Sequence, residues 1–285
     1  MKEGYFEPRG ISYRINEMRP GLALVFIHGL SGSISAWYEY EAKFGSRYTM
    51  LAIDLRGHGL SLRPKKFHAY HPQGLAEDVA ALLAHLGIHE YVLITHSLGT
   101  LVGLELSLMR ERHAPMIIMS PNYGIRAILT RRVFHPFLAI CSALFNHSFR
   151  VRNPRFRTDY AHYKGTGDYN VRRIFADIRN TTLRVYIFCL VQVYAHNKDD
   201  AWKLINAPVH IIHGRHDKII PVENARALSA IIPSAKITIL EDSNHILVLN
   251  NVEEVSTIIS TFIDTLVREM AFGVESSTVD MPESS

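Results

Sequence analysis

Ile94-Thr95-His96-Ser97-Leu98-Gly99 joins an apolar run, Tyr91-Val92-Leu93-Ile94, to a segment of helical periodicity that reaches Glu111. A serine at such a junction has its hydroxyl pushed clear of the backbone. The N–H groups that open the next helix favour negative charge at the same spot. A nucleophile that passes through an anionic intermediate needs both conditions. Gly99 and Gly103 are small where turn and helix must approach neighbouring strands. An ordinary helix N-cap would also place a serine here, so the rest of the chain has to decide.

Working outward, near-continuous apolar runs recur at Leu22–Ile27, Tyr48–Ile53, Met116–Met119, Val209–Ile212 and Lys236–Leu240. Runs without alternation suit strands covered on both faces. Between them, Gly74–Leu86, Leu98–Glu111, Val222–Ala230 and Val252–Met270 carry apolar residues at helical spacing. Strands alternating with helices predict an α/β fold on a mostly parallel sheet with helices on both faces. Gly4–Asn16 is expected to add an antiparallel hairpin at the edge. The alternation breaks from about Asn122 to Asn206 and restarts after Ala207-Pro208. This predicts a core of residues 1–121 and 207–272, a mainly helical insertion (a lid, 122–206) over the strand ends, and a disordered polar tail, 273–285.

Two further segments end strand candidates at the same sheet edge as Ser97. Asp217 follows Val209–Ile212 in His213-Gly-Arg-His-Asp217, and His245 follows Lys236–Leu240 in Glu241-Asp-Ser-Asn-His245. Ligands of open α/β sheets bind at that edge. His245 is therefore the expected base for Ser97, with Asp217 fixing its tautomer and stabilising the imidazolium. Asp242, three residues before His245, is the reserve acid; Asp199 and Asp200 are weaker ones. Asn122, after Met119-Ser-Pro, is an amide and cannot serve as that acid. The glycine loop His28-Gly29-Leu30-Ser31-Gly32 follows the first core run. Its Leu30 N–H, with that of Leu98, is expected to form an oxyanion hole. His28 is expected to hold the loop rather than to react.

His28-Gly29, Asp54-Leu-Arg-Gly-His-Gly-Leu-Ser61, His96-Ser97-Leu98-Gly99, Gly214-Arg-His-Asp217 and His245 together resemble the α/β-hydrolase superfamily, in its lid-bearing esterase, monoacylglycerol-lipase and C–C-hydrolase branch. The resemblance covers most of the chain outside the insertion and keeps the family's order of serine, acid and histidine. It implies that Asp54–Ser61 is a structural loop. Thr95 departs from it, since glycine is usual two residues before the nucleophile; a β-branched side chain there predicts strain or an opened turn.

Composition bounds the rest. The 285 residues are 47% hydrophobic and 20% charged, those of a globular protein rather than a disordered one. Cys141 and Cys189 sit in apolar runs without metal or disulfide spacing, which predicts buried thiols in a reducing compartment. The sequence shows neither a signal peptide nor a membrane-spanning run, so a cytoplasmic protein is expected. His210, His213 and His216 alternate faces along a strand and are not expected to bind metal; no cofactor is implied. From Arg126 to Arg184, twelve Lys/Arg meet three Asp, so that segment is +9 in a chain of net +4. Such a segment, interleaved with the apolar runs Val133–Phe145 and Val185–Val193, suits an amphiphilic substrate with an acidic end or weak contact with an anionic membrane surface. No nucleic-acid motif accompanies the charge. The expected activity is cleavage of a carboxylic ester of a hydrophobic or amphiphilic substrate through an acyl-serine. The same triad would serve a C–C hydrolase, lactonase or acyltransferase, and a non-hydrolytic signal-binding protein is the alternative outside catalysis.

Overall fold

The computed structural model describes residues 1–124 and 155–277, with side chains of the closing helix described as far as Glu269. Its strands are β1 (Lys2–Phe6), β2 (Ile11–Ile15), β3 (Ala23–Ile27), β4 (Met50–Ile53), β5 (Tyr91–His96), β6 (Met116–Met119), β7 (Val209–Gly214) and β8 (Ala235–Leu240). They form one eight-stranded sheet in the order β1-β2-β4-β3-β5-β6-β7-β8. All neighbours from β4 to β8 pair in parallel, while β2 pairs antiparallel with β1 and β4. The hairpin expected at Gly4–Asn16 is β1–β2.

The apolar runs of β3 to β7 are continuous because each of these strands feeds two cores. Val25 and Ile27 of β3, Leu93 of β5, Ile118 of β6 and Ile211 of β7 face one core, with α2 (Pro72–His85), α3 (Leu98–Leu108) and α6 (Val222–Ile231). The alternate residues Leu24, Phe26, Ile94, Ile117 and Ile212 face the other, with α1 (Tyr38–Phe44) and α8 (Val252–Ser277). On α8 the stripe Val255, Ile259, Phe262, Ile263 and Leu266 is buried, as its spacing requires. That helix continues past residue 272, where the sequence reading ended the core. A short α7 (Leu247–Asn250) precedes it.

Between β6 and β7 the described residues hold α4 (Val171–Thr181), α5 (Leu183–Ala195) and two 3-10 turns, Tyr160–Tyr163 and Asp199–Leu204. Val133–Phe145, Cys141 and the cations Arg126, Arg131, Arg132, Arg150 and Arg152 lie outside the described residues. Cys189 is a buried free thiol, pushed far up by burial. The Asp54–Ser61 segment is knitted by its own acid. Asp54 accepts from the N–H of Ile34 at 2.8 Å and of Leu60 at 3.0 Å, and from Arg157 Nε at 2.7 Å. Among the described residues no helix is long and apolar enough to cross a membrane.

Candidate active site

β5 ends at His96 and α3 begins at Leu98, so Ser97 alone makes the turn, at φ 50° and ψ −116°. A non-glycine residue held there costs on the order of 1–3 kcal/mol. Local bonds offset it: Ser97 N–H donates to Met119 O at 2.9 Å, and Thr100 donates to Ser97 O through N–H at 2.9 Å and Oγ1 at 2.7 Å. Ser97 has no side-chain capping bond to the helix, unlike an ordinary N-cap. Gly99 is required sterically, since a Cβ there would lie 2.5 Å from the Ile27 carbonyl oxygen.

Thr95 does not produce the strain expected of it. It lies in β5, fully buried, and is not among the residues with positive φ. Its hydroxyl donates to Ile117 O at 3.2 Å. Its methyl fills space beside Gly103, where a Cβ would come within 3.1 Å of Thr95 Cγ2. The room that the branched side chain needs is left by a glycine on the facing helix.

The loops after β7 and β8 run side by side, tied by His216 N–H to Ser243 O at 2.8 Å. They bring His245 Nε2 to 3.1 Å from Ser97 Oγ and His245 Nδ1 to 2.8 Å from Asp217 Oδ2. The other oxygen, Asp217 Oδ1, accepts from the N–H groups of Ile219 and Ile220, both at 2.8 Å. Burial works to raise the Asp217 carboxyl, but the bond to His245 and the charge around it prevail, holding it below the ordinary carboxylate value. Asp242 is exposed, and the carboxylate hydrogen-bonded to His245 Nδ1 is that of Asp217.

The remaining histidines are placed by bonding. His96, buried against the His245 ring at 5.1 Å between centroids, donates Nε2–H to the His245 carbonyl at 2.9 Å. Burial, reinforced by His245, pushes it down to about 3, so it stays neutral. His28 accepts from Leu55 N–H at 3.1 Å and donates Nδ1–H to Gly29 O at 2.8 Å, bracing the glycine loop. His210 bonds Thr238 Oγ1, His213 bonds the Ile220 carbonyl, and His216 is exposed. Leu30 lines the cavity above Ser97, and Leu98 opens α3 beside it. Neither of their N–H groups meets an acceptor among the described residues.

Ser97 and His245 open into a cavity of about 300 Å³, walled by Leu30, Trp37, Ile174, Leu190, Val193 and Leu249. Asn122, an amide and so no candidate for the acid, places its Nδ2 3.4 Å from Ser97 Oγ. One wall is polar and was not foreseen. Arg173 Nη1 bonds Asp177 at 2.6 Å, Tyr160 OH donates to Asp177 at 2.8 Å, and Asn180 Nδ2 reaches Tyr160 OH at 2.9 Å and Ser31 O at 2.8 Å. Burial pushes the Asp177 carboxyl up to about 6, against the pull of Arg173. The four-residue spacing of Arg173 and Asp177 was the available signal. Among the described residues no cluster of His, Cys, Asp or Glu could hold a metal ion.

Residues 24–258 match the model of the alpha/beta hydrolase family, and the chain belongs to that family. Mouse Protein ABHD8 is 27% identical over 254 residues, 85% of this chain and 55% of that protein; the human protein matches at the same identity and shares. The chain therefore spans about half the length of these relatives. Among solved structures, a carboxylesterase of the archaeon Nitrososphaera gargenis aligns with a TM-score of 0.70 at 20% identity, covering 94% of this chain and 100% of that one. Esterase RhEst1 from Rhodococcus aligns at 0.67 and 20%, covering 93% and 98%. Such low identities speak for the fold alone.

Proposed function

We propose that the protein is a serine hydrolase that cleaves a carboxylic ester of a hydrophobic or amphiphilic substrate through an acyl-Ser97 intermediate. The observation that carries this reading is the hydrogen-bonded line Ser97–His245–Asp217 opening on a largely apolar cavity. Ser97 Oγ attacks the carbonyl carbon as His245 Nε2 takes its proton, and Asp217 stabilises the imidazolium. The backbone N–H groups of Leu30 and Leu98 receive the oxyanion; losing one such donor costs on the order of 3 kcal/mol. The tetrahedral intermediate collapses as His245 protonates the leaving alcohol. Water, deprotonated by His245, then attacks the acyl-enzyme; the acid leaves and Ser97 regains its proton.

The apolar walls favour an apolar acyl or alcohol group, and the net charge of the insertion favours an acidic end outside the cavity. A series of p-nitrophenyl esters of rising chain length tests the reading, with intact-mass detection of the stalled enzyme. The expected result is an alcohol burst and an adduct of the acyl mass, with a peak in kcat/KM along the series. Ester turnover equal to that of Ser97→Ala across the series would reject it.

A further inference from the structure

Asp168 lies in the insertion, between the turn at Tyr160–Tyr163 and α4, and is 5% exposed. Each carboxylate oxygen takes a backbone N–H from a different loop of the site. Oδ1 accepts from His245 N–H at 2.9 Å and Oδ2 from Lys218 N–H at 2.8 Å. Arg173 approaches, but its Nη2 bonds the Asp168 carbonyl at 2.7 Å rather than the carboxylate. One side chain from the insertion thus bridges the residue that follows the acid and the histidine itself. We propose that Asp168 is a positioning residue, which sets the spacing of the Asp217 and His245 loops and so completes the Ser97–His245–Asp217 line when the insertion is seated.

The arrangement around it is specific. The consecutive N–H groups of residues 218, 219 and 220 are shared between two carboxylates, Asp168 taking the first and Asp217 the other two. The Asp217 carboxylate is thereby oriented by its own turn, and the turn is located against His245 by Asp168. Neighbouring bonds attach the same stretch without touching those N–H groups. Asn250 Oδ1 accepts from Gly165 N–H at 2.8 Å, and Thr166 O accepts from Asn250 Nδ2 at 3.0 Å and Asn244 Nδ2 at 3.1 Å. Anchoring of the insertion and positioning of the triad are therefore separable by mutation. An amide at 168 would keep one acceptor and point an NH2 at the other N–H, a donor facing a donor.

The idea rests on the serine-hydrolase reading, and its test separates the two. The titratable and charged groups around the His245 ring are Asp217, His213 on β7 and His96 on β5, with Asp168 at the His245 backbone N–H. Asp168→Asn and Asp168→Glu are compared with native protein and with Asn250→Ala, which removes the anchors to Gly165 and Thr166 and a bond to Asn244 Oδ1 at 3.2 Å but none of the N–H groups that Asp168 holds. For Asp168→Asn, kcat on a short ester is expected to fall about 10- to 100-fold with KM little changed, as for a catalytic pair displaced by a fraction of an ångström. The acid limb of kcat/KM should move to lower pH, because an imidazolium in looser contact with Asp217 gives up its proton more readily. Asp168→Glu, which keeps the charge and both acceptors, should recover part of kcat. Asn250→Ala should lower Tm without moving the limb.

A native kcat and limb in Asp168→Asn would overturn the proposal, as would equal effects in Asn250→Ala. If Asp168→Asn fails to fold, a limb displaced in Asp168→Glu but not in Asn250→Ala supports it, and limbs coincident with native in both overturn it. If native protein turns over no ester, the serine-hydrolase reading fails by itself. Proton NMR of the Nδ1–H shared by His245 and Asp217 then decides: the signal lost in Asp168→Asn and kept in Asn250→Ala is expected, and an unchanged signal overturns the proposal.

Discussion

Thr95 shows how one position gains its meaning from a partner elsewhere in the fold. Two residues before Ser97, a β-branched side chain looks like an intrusion, because the crowding of the turn can be foreseen from local geometry. The relief cannot, since it comes from Gly103 across the packing of α3 on β5. Thr95→Gly is therefore expected to destabilise the protein, by about 1–2 kcal/mol, through lost packing and a freer unfolded chain. Denaturant melts would show a lower midpoint at unchanged slope, with no gain in kcat. A stabilised Thr95→Gly would restore the strained-turn view. Asn122 was visible only for what it cannot do, because a contact with Ser97 depends on how β6 ends.

At the scale of elements, the site hangs between the sheet and the insertion, and the insertion is held at both of its described ends. Arg157 pins its start to Asp54 and Glu3, with Nε 2.7 Å from Asp54 Oδ2. Its far end is pinned to α3, where the buried Glu105 receives His196 Nε2 at 2.9 Å and Lys198 Nζ at 2.7 Å. Burial works to raise the Glu105 carboxyl, but the bonds from His196 and Lys198 prevail and lower it from its ordinary 4.5. A carboxyl whose folded-state value is depressed adds stability above the unfolded value and loses it as pH falls through the folded one. Native protein should thus be more stable than Glu105→Gln by about 2 kcal/mol near neutrality, the scale of hydrogen bonds to a charged group. The gap should close as pH falls below 4.5. Thermal melts across that range check this, and a gap that widens on acidification would contradict it.

For the molecule as a whole, the sheet was legible because its inner strands, β3 to β7, are buried on both faces and so carry unbroken apolar runs. The strand-end placement of Ser97, Asp217 and His245 followed from that same pattern. Within the insertion, Asp168, Arg173, Asp177 and Asn180 were legible only as charges or helix residues. Apart from the four-residue spacing of Arg173 and Asp177, their partners stand farther along the chain, as with Asp168 and His245, 77 residues apart, and no local period encodes those pairings. The charge imbalance was plain from sequence, and it yields a prediction about the whole surface. Sedimentation with anionic vesicles should be weak and should fall as salt rises from 0.05 to about 0.5 M, where screening shortens to a few ångströms. Binding indifferent to salt and lipid charge would contradict the electrostatic account.

The central claim is that Ser97 is an activated nucleophile, and covalent labelling by a fluorophosphonate probe tests it most directly. The folded protein should be labelled at a single residue, Ser97, and labelling should vanish in Ser97→Ala while its melting curve stays native. A folded native protein that takes no label, or a Ser97→Ala variant that labels as well as native, would contradict the claim.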